Sequence, residues 1–233
     1  MKAMILAAGR GARLSPLTDT TPKPLLTVAG KTLLDWQLDK LCHAGFKDFV
    51  INLGYLGEQI RAHLNERSRT GINIQFSIEP QTALETGGGI LQALPLLGDA
   101  PFAVINADVW SDFDFGRLKH FSAEKQSKAW RGHLVLVANP AHNLKGDFGL
   151  HNGYIMNEAA QRYTFAGFSV LHPRLFDGQQ PGRFPLAPIL QDAARAGTLS
   201  GEIHPNQWND IGTAERLNEI NNIDLAIQDK TEI

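Results

Sequence analysis

Short apolar runs that alternate with helical patterns constrain the fold of this chain more than any other feature of its sequence. Ala3–Ala8, Phe49–Leu53 and Phe102–Asp108 have the length and composition of buried strands, and Ile72–Ile78 alternates apolar and polar residues as a half-buried strand does. Helical spacing separates these runs, as in Lys31–Gly45. This βαβα order predicts an α/β fold with a doubly wound, mostly parallel sheet and helices on both faces.

The texture of the chain changes after Asn139. Glycines, asparagines and aromatic residues mix with short strand patterns as far as Leu171. We interpret residues 139–172, approximately, as a small inserted antiparallel region that covers the open edge of the sheet. Two helical patterns follow, and no repeat or linker interrupts the chain, so we expect a single domain of residues 1–233.

Composition restricts the kinds of partner. The net charge is −2, so the chain has no general positive field that would attract nucleic acid. Its apolar runs are too short for a membrane span or a signal segment, and its single cysteine, Cys42, cannot form an internal disulfide. We expect a cytoplasmic protein, a monomer or weak dimer, without a nucleic-acid or membrane partner.

Three unusual features stand at the carboxyl ends of predicted strands. A glycine loop follows Ala8, Glu79 follows Ile78, and Asp108 follows Ala107. Ligands of open α/β sheets bind beyond the carboxyl ends of the strands. The coincidence predicts a functional site at this edge.

The glycine loop has the chemistry of a polyphosphate site. Gly9–Ala12 offers backbone N–H groups that can approach an anion closely, and Arg10, Arg13 and Lys23 add positive charge. An ordinary turn between strand and helix with solvated arginines would show the same sequence pattern. The loop alone does not distinguish such a turn from a polyphosphate site.

Known phosphate motifs narrow the choice. A dinucleotide fingerprint requires a third glycine where Leu14 stands, and a P-loop ending at Gly30–Thr32 requires a glycine where Leu25 stands. Asp147–Gly149 spells the Asp-Phe-Gly of protein kinases, but the other kinase motifs are absent from the sequence. Neither dinucleotide nor kinase chemistry is supported.

An ordered set of segments resembles the sugar-1-phosphate nucleotidyltransferases over nearly the whole chain. The signature of that family is Leu-Ala-Ala-Gly-x-Gly-x-Arg, then Pro-x-Thr, then Pro-Lys-Pro. The matching segments are Leu6–Arg13, Pro16–Thr18, Pro22–Pro24, Leu84–Ile90, Asn106–Val109, Phe165–Leu171 and Trp208–Thr213.

The resemblance implies a Rossmann-like fold and an Mg²⁺-dependent reaction of a nucleoside triphosphate with a sugar 1-phosphate. Arg13 and Lys23 are the expected catalytic residues, and Asp108 and Asp210 the expected metal ligands. Without the resemblance, these two aspartates would be read as caps of a turn and a helix. The expected nucleotide-binding residues are Ala8, Gly9, Gly11, Ala12, Arg13, Lys23, Glu79, Gly87 and Asn106. The expected sugar-binding residues are Val109, Gly149, Asn157, Glu158 and Thr164.

The resemblance identifies the base of the nucleoside triphosphate less directly. Glu79 and Gln81 are expected acceptors for a base N–H, and backbone amides near Gly87 are expected donors. A carboxylate would suit guanine as well as uracil. The short form of the chain favours UTP, with mannose-1-phosphate guanylyl transfer or a non-catalytic nucleotide-sugar sensor as alternatives.

The sugar is expected to be N-acetylmuramate α-1-phosphate, an intermediate of cell-wall (peptidoglycan) sugar recycling. The Glu-Lys-Pro of the family is replaced here by Glu158-Ala159-Ala160, so another cation must fill the role of that lysine or the role is absent. The lactyl carboxylate of the sugar also calls for a cation or backbone donors. The nearby candidates, for each of which a solvated surface role is the alternative, are Lys145, Arg162, His142 and His151.

Overall fold

The computed structural model describes residues 1–66, 70–80, 83–121 and 127–228. The strands are β1 Ala3–Leu6, β2 Thr27–Val28, β3 Lys31–Thr32, β4 Asp48–Leu53, β5 Asn73–Ile78, β6 Phe102–Asn106, β7 Val109–Ser111, β8 Gly132–Val137, β9 Gly149–His151, β10 Tyr154–Met156, β11 Thr164–Leu171, β12 Leu199–Ile203 and β13 Trp208–Asp210. The helices are α1 Leu17–Thr20, α2 Leu33–His43, α3 Gly57–Glu66, α4 Glu85–Leu97, α5 Ala187–Arg195 and α6 Ala214–Gln228.

Nine strands form one sheet in the order β5-β4-β1-β6-β11-β8-β12-β10-β9. The first four are parallel, and only β10 and β11 run against the other strands of this sheet. The predicted mostly parallel α/β sheet is therefore confirmed. The register pairs Leu6 with both Asn52 and Asn106, so the carboxyl ends of β1, β4 and β6 lie level with one another.

The prediction for residues 139–172 was wrong for the position of β11. The β9–β10 hairpin lies at the edge of the sheet as expected, but β11 lies in its centre, between β6 and β8. The physical reason is that β11 is apolar on both faces: Phe168 and Val170 pack into one core and Leu171 into the other. A strand buried on both faces belongs in the interior of a sheet. The sequence interpretation also missed β12 and the short strands β2, β3, β7 and β13.

Helix α2 begins and ends as its sequence predicts. The hydroxyl of Thr32 accepts the N–H of Asp35 (3.1 Å) and caps the first turn. Gly45, with φ of 80°, follows the last turn, and the N–H of Phe46 donates to the carbonyl of Leu41 (2.9 Å). This pattern is typical of a glycine-terminated helix.

Each face of the sheet carries a hydrophobic core, and a third apolar cluster lies beside the loop that follows β1. Leu14 and Leu33 pack there with Ile211, Leu217 and Ile220. This cluster brings the segment after β13 and helix α6 to the carboxyl edge of β1. No helix in the described part of the chain is long and apolar enough to cross a membrane.

Candidate active site

The level strand ends of β1, β4 and β6 form the floor of a pocket of about 190 Å³, here called the first pocket. Six of the residues predicted to bind nucleotide or metal line it. They are Ala8, Gly9, Lys23, Glu79, Asn106 and Asp108. The predicted site at the carboxyl edge of the sheet is therefore a real cavity with these residues in its wall.

The glycine loop turns sharply beside this pocket. Gly11 has φ of 66°, and its carbonyl accepts the N–H of Leu14 (2.8 Å) and the hydroxyl of Thr18 (2.9 Å). A Cβ on Gly11 would lie 3.2 Å from Cβ of Lys23. Glycine is therefore required both for the backbone conformation and for the close packing of Lys23 against the loop. Ala12 and Arg13 follow in an exposed 3₁₀ turn and do not belong to the described lining of the pocket.

Lys23 and Asp108 form an ion pair in the wall of the first pocket. The Nζ atom of Lys23 hydrogen-bonds Oδ2 of Asp108, and the two side chains are 12% and 34% exposed. Lys23 begins a 3₁₀ turn directly after Pro22, which fixes the backbone that carries it. The arrangement places one positive and one negative group at the rim where phosphates would enter.

Asp210 reaches the same place from a distant part of the chain. Strand β13 pairs with β7 so that Asp210 lies opposite Val109, and the N–H of Ile211 donates to the carbonyl of Asp108 (2.8 Å). The sequence interpretation brought Asp108 and Asp210 together only through the family resemblance. The structure places them on adjacent backbone segments.

Two residues that the predictions did not connect with Asp210 hold its carboxylate. Arg216 of α6 hydrogen-bonds Oδ1 of Asp210 and also its carbonyl (3.0 Å), and Nε2 of His142 lies 3.2 Å from the same Oδ1. A Cβ on Gly212 would lie 3.1 Å from Nη2 of Arg216, so the glycine leaves room for the guanidinium. An arginine in the first turn of the helix after Trp208–Thr213 was the available sequence signal.

The donor set fits a hard divalent cation. Asp108 and Asp210 supply carboxylate oxygens, which Mg²⁺ prefers, and Mg²⁺ commonly takes only one or two carboxylates together with phosphate oxygens and water. The residues that the structure describes contain no group of three or more His, Cys, Asp or Glu side chains arranged to hold a metal. The fit is therefore to a metal shared with a phosphate ligand, not to a cage made by the protein alone.

A buried polar chain lies beneath the first pocket. Asn52 accepts the N–H of Ala7 through Oδ1 (2.6 Å) and donates from Nδ2 to Oε1 of Glu79 (2.7 Å). Oε2 of Glu79 accepts the N–H of Leu84 (3.1 Å) just before α4. The carboxylate of Glu79 thus joins the end of β5 to the start of α4. Asn52 was missed, although a polar residue inside a buried apolar strand is itself a signal, because such groups require hydrogen-bond partners.

The amides of Gly87 and Gly88, two of the expected donors to the base, already have a partner within the protein. The N–H groups of Gly87 and Gly88 both donate to the carbonyl of Phe184 (3.0 and 3.1 Å), which caps the helix. Helix α4 begins at Glu85, two residues before the glycine cluster Gly87–Gly89. The glycines serve packing, since a Cβ on Gly87 would lie 2.5 Å from the ring of Phe184.

Glu85 is the exceptional residue of this turn. It lines the first pocket with φ of 60°, a conformation that glutamate rarely adopts. Its Oε1 accepts a hydrogen bond from Nε of Arg183 (2.8 Å), which precedes Phe184. The other predicted acceptor, Gln81, lies outside the described residues.

A second pocket of about 340 Å³ adjoins the first. Leu6, Thr86 and Asn106 belong to the lining of both, so the two pockets are adjacent, and together they are called the cleft. The remainder of the second pocket is mostly apolar, with Asp147, Arg162 and Gln191 as polar exceptions. Its apolar lining residues are Val104, Phe148, Phe165, Leu186, Ala187 and Leu190.

None of the five predicted sugar-binding residues belongs to the described lining of either pocket. The hydroxyl of Thr164 donates to Oδ1 of Asn139 (3.0 Å), and Nδ2 of Asn157 donates to the carbonyl of Gln191 (2.7 Å). Gly149 packs against Ala159, since a Cβ there would lie 2.2 Å from Cβ of Ala159. Val109 is buried and Glu158 is exposed. Of the five, Asn157 therefore contacts a lining residue of the second pocket, Gln191. Contact of these residues with a sugar stays a prediction.

Comparison with known proteins agrees with this geometry. Residues 2–152 match the family model described as nucleotidyl transferase. The chain is 48% identical, over 94% of its length and 96% of the relative, to an N-acetylmuramate alpha-1-phosphate uridylyltransferase of Neisseria meningitidis serogroup B. It is 32% identical, over 90% of its length and 91% of the relative, to a protein of the same name from Caulobacter vibrioides.

A solved structure shows the same fold. It is that of a putative glucose-1-phosphate thymidylyltransferase from Bacillus anthracis, which superposes with a TM-score of 0.80 and covers 96% of this chain and 95% of its own, at 20% identity. The family match spans more than half of this chain, and the two relatives match almost all of it. The chain therefore belongs to the nucleotidyl transferase family and is a nucleotidyltransferase.

Proposed function

We propose that this nucleotidyltransferase transfers the uridylyl group of UTP to N-acetylmuramate α-1-phosphate, and that it uses Mg²⁺. The observation that carries the proposal is that Asp210 lies on the backbone segment next to Asp108, whose ion pair with Lys23 stands in the wall of the first pocket. The choice of uridine and muramate is supported by two relatives of that name, which are matched over 90% or more of this chain.

The reaction mainly requires that the two substrates be aligned and that their phosphate charge be stabilised. An oxygen of the sugar phosphate attacks the α-phosphorus, a new P–O bond forms, and the bond to the bridging oxygen of the β-phosphate breaks. The electron pair of that bond leaves with pyrophosphate. The attacking oxygen is already anionic, so no strong base is needed, and the barrier lies in bringing two polyanions together.

The residues of the cleft meet these requirements. Lys23, mostly buried and attached to a rigid turn, would place its charge on the reacting phosphates. Gly9 and Gly11 allow the backbone N–H groups of the loop to approach the leaving phosphates. Asp108 and Asp210 would hold Mg²⁺, which when bound neutralises phosphate charge. Arg216 fixes the orientation of the Asp210 carboxylate.

The first experiment is a grid of four nucleoside triphosphates against several sugar 1-phosphates, with pyrophosphate release as the readout. We expect release with UTP and N-acetylmuramate α-1-phosphate at a kcat/KM at least equal to that for N-acetylglucosamine α-1-phosphate. Asp108→Asn and Asp210→Asn serve as controls that should abolish release and so exclude a contaminating enzyme. A preference for GTP with mannose 1-phosphate would overturn the uridylyl assignment, and no release with any pair would favour a sensor.

The cellular setting is part of the same proposal. We place the reaction in peptidoglycan sugar recycling, because its product would be a nucleotide-activated cell-wall sugar. The cytoplasmic location and the monomeric or weakly dimeric state stay predictions from the sequence.

A further inference from the structure

Arg162 is the basic residue in the described lining of the second pocket. It lies just before β11, and its Nη2 donates to the carbonyl of Asp147 (2.6 Å). Its Nε is buried and has no hydrogen-bond partner. Among the ion pairs of the described residues, none joins Arg162 to a carboxylate.

The carboxylate of Asp147 lines the same pocket but makes its hydrogen bonds elsewhere. Oδ1 of Asp147 accepts from Nδ2 of Asn143 (3.0 Å), and Oδ2 accepts the N–H of Phe165 (2.8 Å). These contacts fasten the loop of Asp147 to β11. A guanidinium without a direct carboxylate contact is costly to keep in a mostly apolar pocket, and an anionic group of a ligand that contacts it would reduce that cost.

The other basic candidates lie elsewhere. Lys145 lines an open depression on the far side of Arg162 and does not belong to the described lining of the second pocket. His142 contacts Asp210. His151 is exposed and lies beside the amide of Asn152 (3.1 Å). Of the four, Arg162 is the one placed in the wall of the pocket that adjoins the first pocket.

We propose that Arg162 is a specificity-determining residue that binds a carboxylate on the acceptor sugar. The enzyme would then prefer sugar 1-phosphates that carry a second anionic group, as the lactyl ether of N-acetylmuramate does. The planar guanidinium suits a carboxylate, and its buried Nε is the donor left to be satisfied. This inference rests on the proposed function, since it names what selects the acceptor of that reaction.

The test removes the charge either from the sugar, by replacing its carboxylate, or from the protein, by replacing Arg162. N-acetylmuramate α-1-phosphate is compared with its lactamide, in which the carboxylate is replaced by a neutral amide, in the parent and in Arg162→Gln. The parent should prefer the acid by about tenfold to a hundredfold in kcat/KM, the range expected for a hydrogen bond to a charged group. In Arg162→Gln the preference should disappear, while kcat/KM for N-acetylglucosamine α-1-phosphate should change little.

Two further variants separate charge from fold. Lys145→Gln removes the same charge from the neighbouring depression and should keep the preference of the parent. Arg162→Lys keeps the charge without the planar fork and should keep part of the preference. If Arg162→Gln fails to fold, the parent alone still decides, because equal use of acid and lactamide would overturn the proposal. An unchanged preference in folded Arg162→Gln would overturn it as well.

Calorimetric binding of the acid and the lactamide distinguishes this inference from the proposed function. If the parent releases no pyrophosphate with any pair of substrates, the proposed function fails. Binding then tests Arg162 by itself: a preference for the acid that Arg162→Gln loses supports the inference, and equal binding of both overturns it.

Discussion

The two pockets share Leu6, Thr86 and Asn106 but differ in the functional groups that complete their walls. The first is lined by backbone, an ion pair and a carboxylate fixed by a buried asparagine. The second places Asp147, Arg162 and Gln191 among apolar side chains. The difference matches the two tasks: transfer of a phosphoryl group needs charges in fixed places, whereas selection of an acceptor needs a shaped cavity with few polar groups.

The largest expected effect tests the charged groups of the first pocket. Lys23→Ala should lower kcat by roughly a hundredfold or more with every acceptor, because a preorganised charge at a transferring phosphoryl group contributes about 3 kcal/mol or more. Lys31→Ala is the matched control, since Lys31 also pairs with an aspartate (Asp39, 2.7 Å) but lies outside both pockets. Near-normal turnover in folded Lys23→Ala would remove that lysine from the mechanism.

A smaller effect concerns the polar chain beneath the first pocket. Asn52→Ala should reduce the free energy of unfolding by about 1–3 kcal/mol, because the buried N–H of Ala7 and the carboxylate of Glu79 each lose a partner. The measurement is urea denaturation. Asn73→Ala on the neighbouring strand removes an exposed, long contact to Asp48 (3.4 Å) and should have little effect. Equal stability of the two variants would show that the chain does not brace the pocket.

The smallest predicted effect concerns the turn where the two pockets meet. Glu85→Gly should be more stable than Glu85→Ala by about 1 kcal/mol, because alanine keeps the left-handed strain that glycine relieves. Both variants lose the contact with Arg183, so their difference isolates the backbone. In the middle of the same helix the order should reverse, and Ala93→Gly should cost about 0.5–1 kcal/mol. The measurement is thermal unfolding of the three variants. If Glu85→Ala is as stable as Glu85→Gly or more stable, the backbone at position 85 is not strained.

The sequence predicted the first pocket far better than the second. The residues expected to bind phosphate form local sequence patterns, since Gly9, Gly11 and Lys23 lie between β1 and β2 and Asp108 follows β6. The residues of the second pocket form no such local sequence pattern. Arg162, Leu186 and Leu190 come together only because β11 enters the middle of the sheet, and the sequence interpretation had placed β11 at its edge.

A long-range contact explains another omission. The carbonyl of Phe184 occupies the amides of Gly87 and Gly88 from almost a hundred residues away. Local spacing does not encode such contacts. Asn52 is different, because a lone asparagine in a buried strand could have been recognised.

The most direct test of the active site asks whether Asp108 and Asp210 hold one metal together with the triphosphate. Mn²⁺ binding is measured by electron paramagnetic resonance in the presence of a non-hydrolysable UTP analogue. We predict that Asp108→Asn and Asp210→Asn each weaken Mn²⁺ binding by at least the roughly tenfold that even a supporting group around a metal contributes. Asp99→Asn, at an exposed aspartate outside both pockets, should match the parent. Mn²⁺ binding in Asp108→Asn and Asp210→Asn that equals the parent at every concentration would contradict the account.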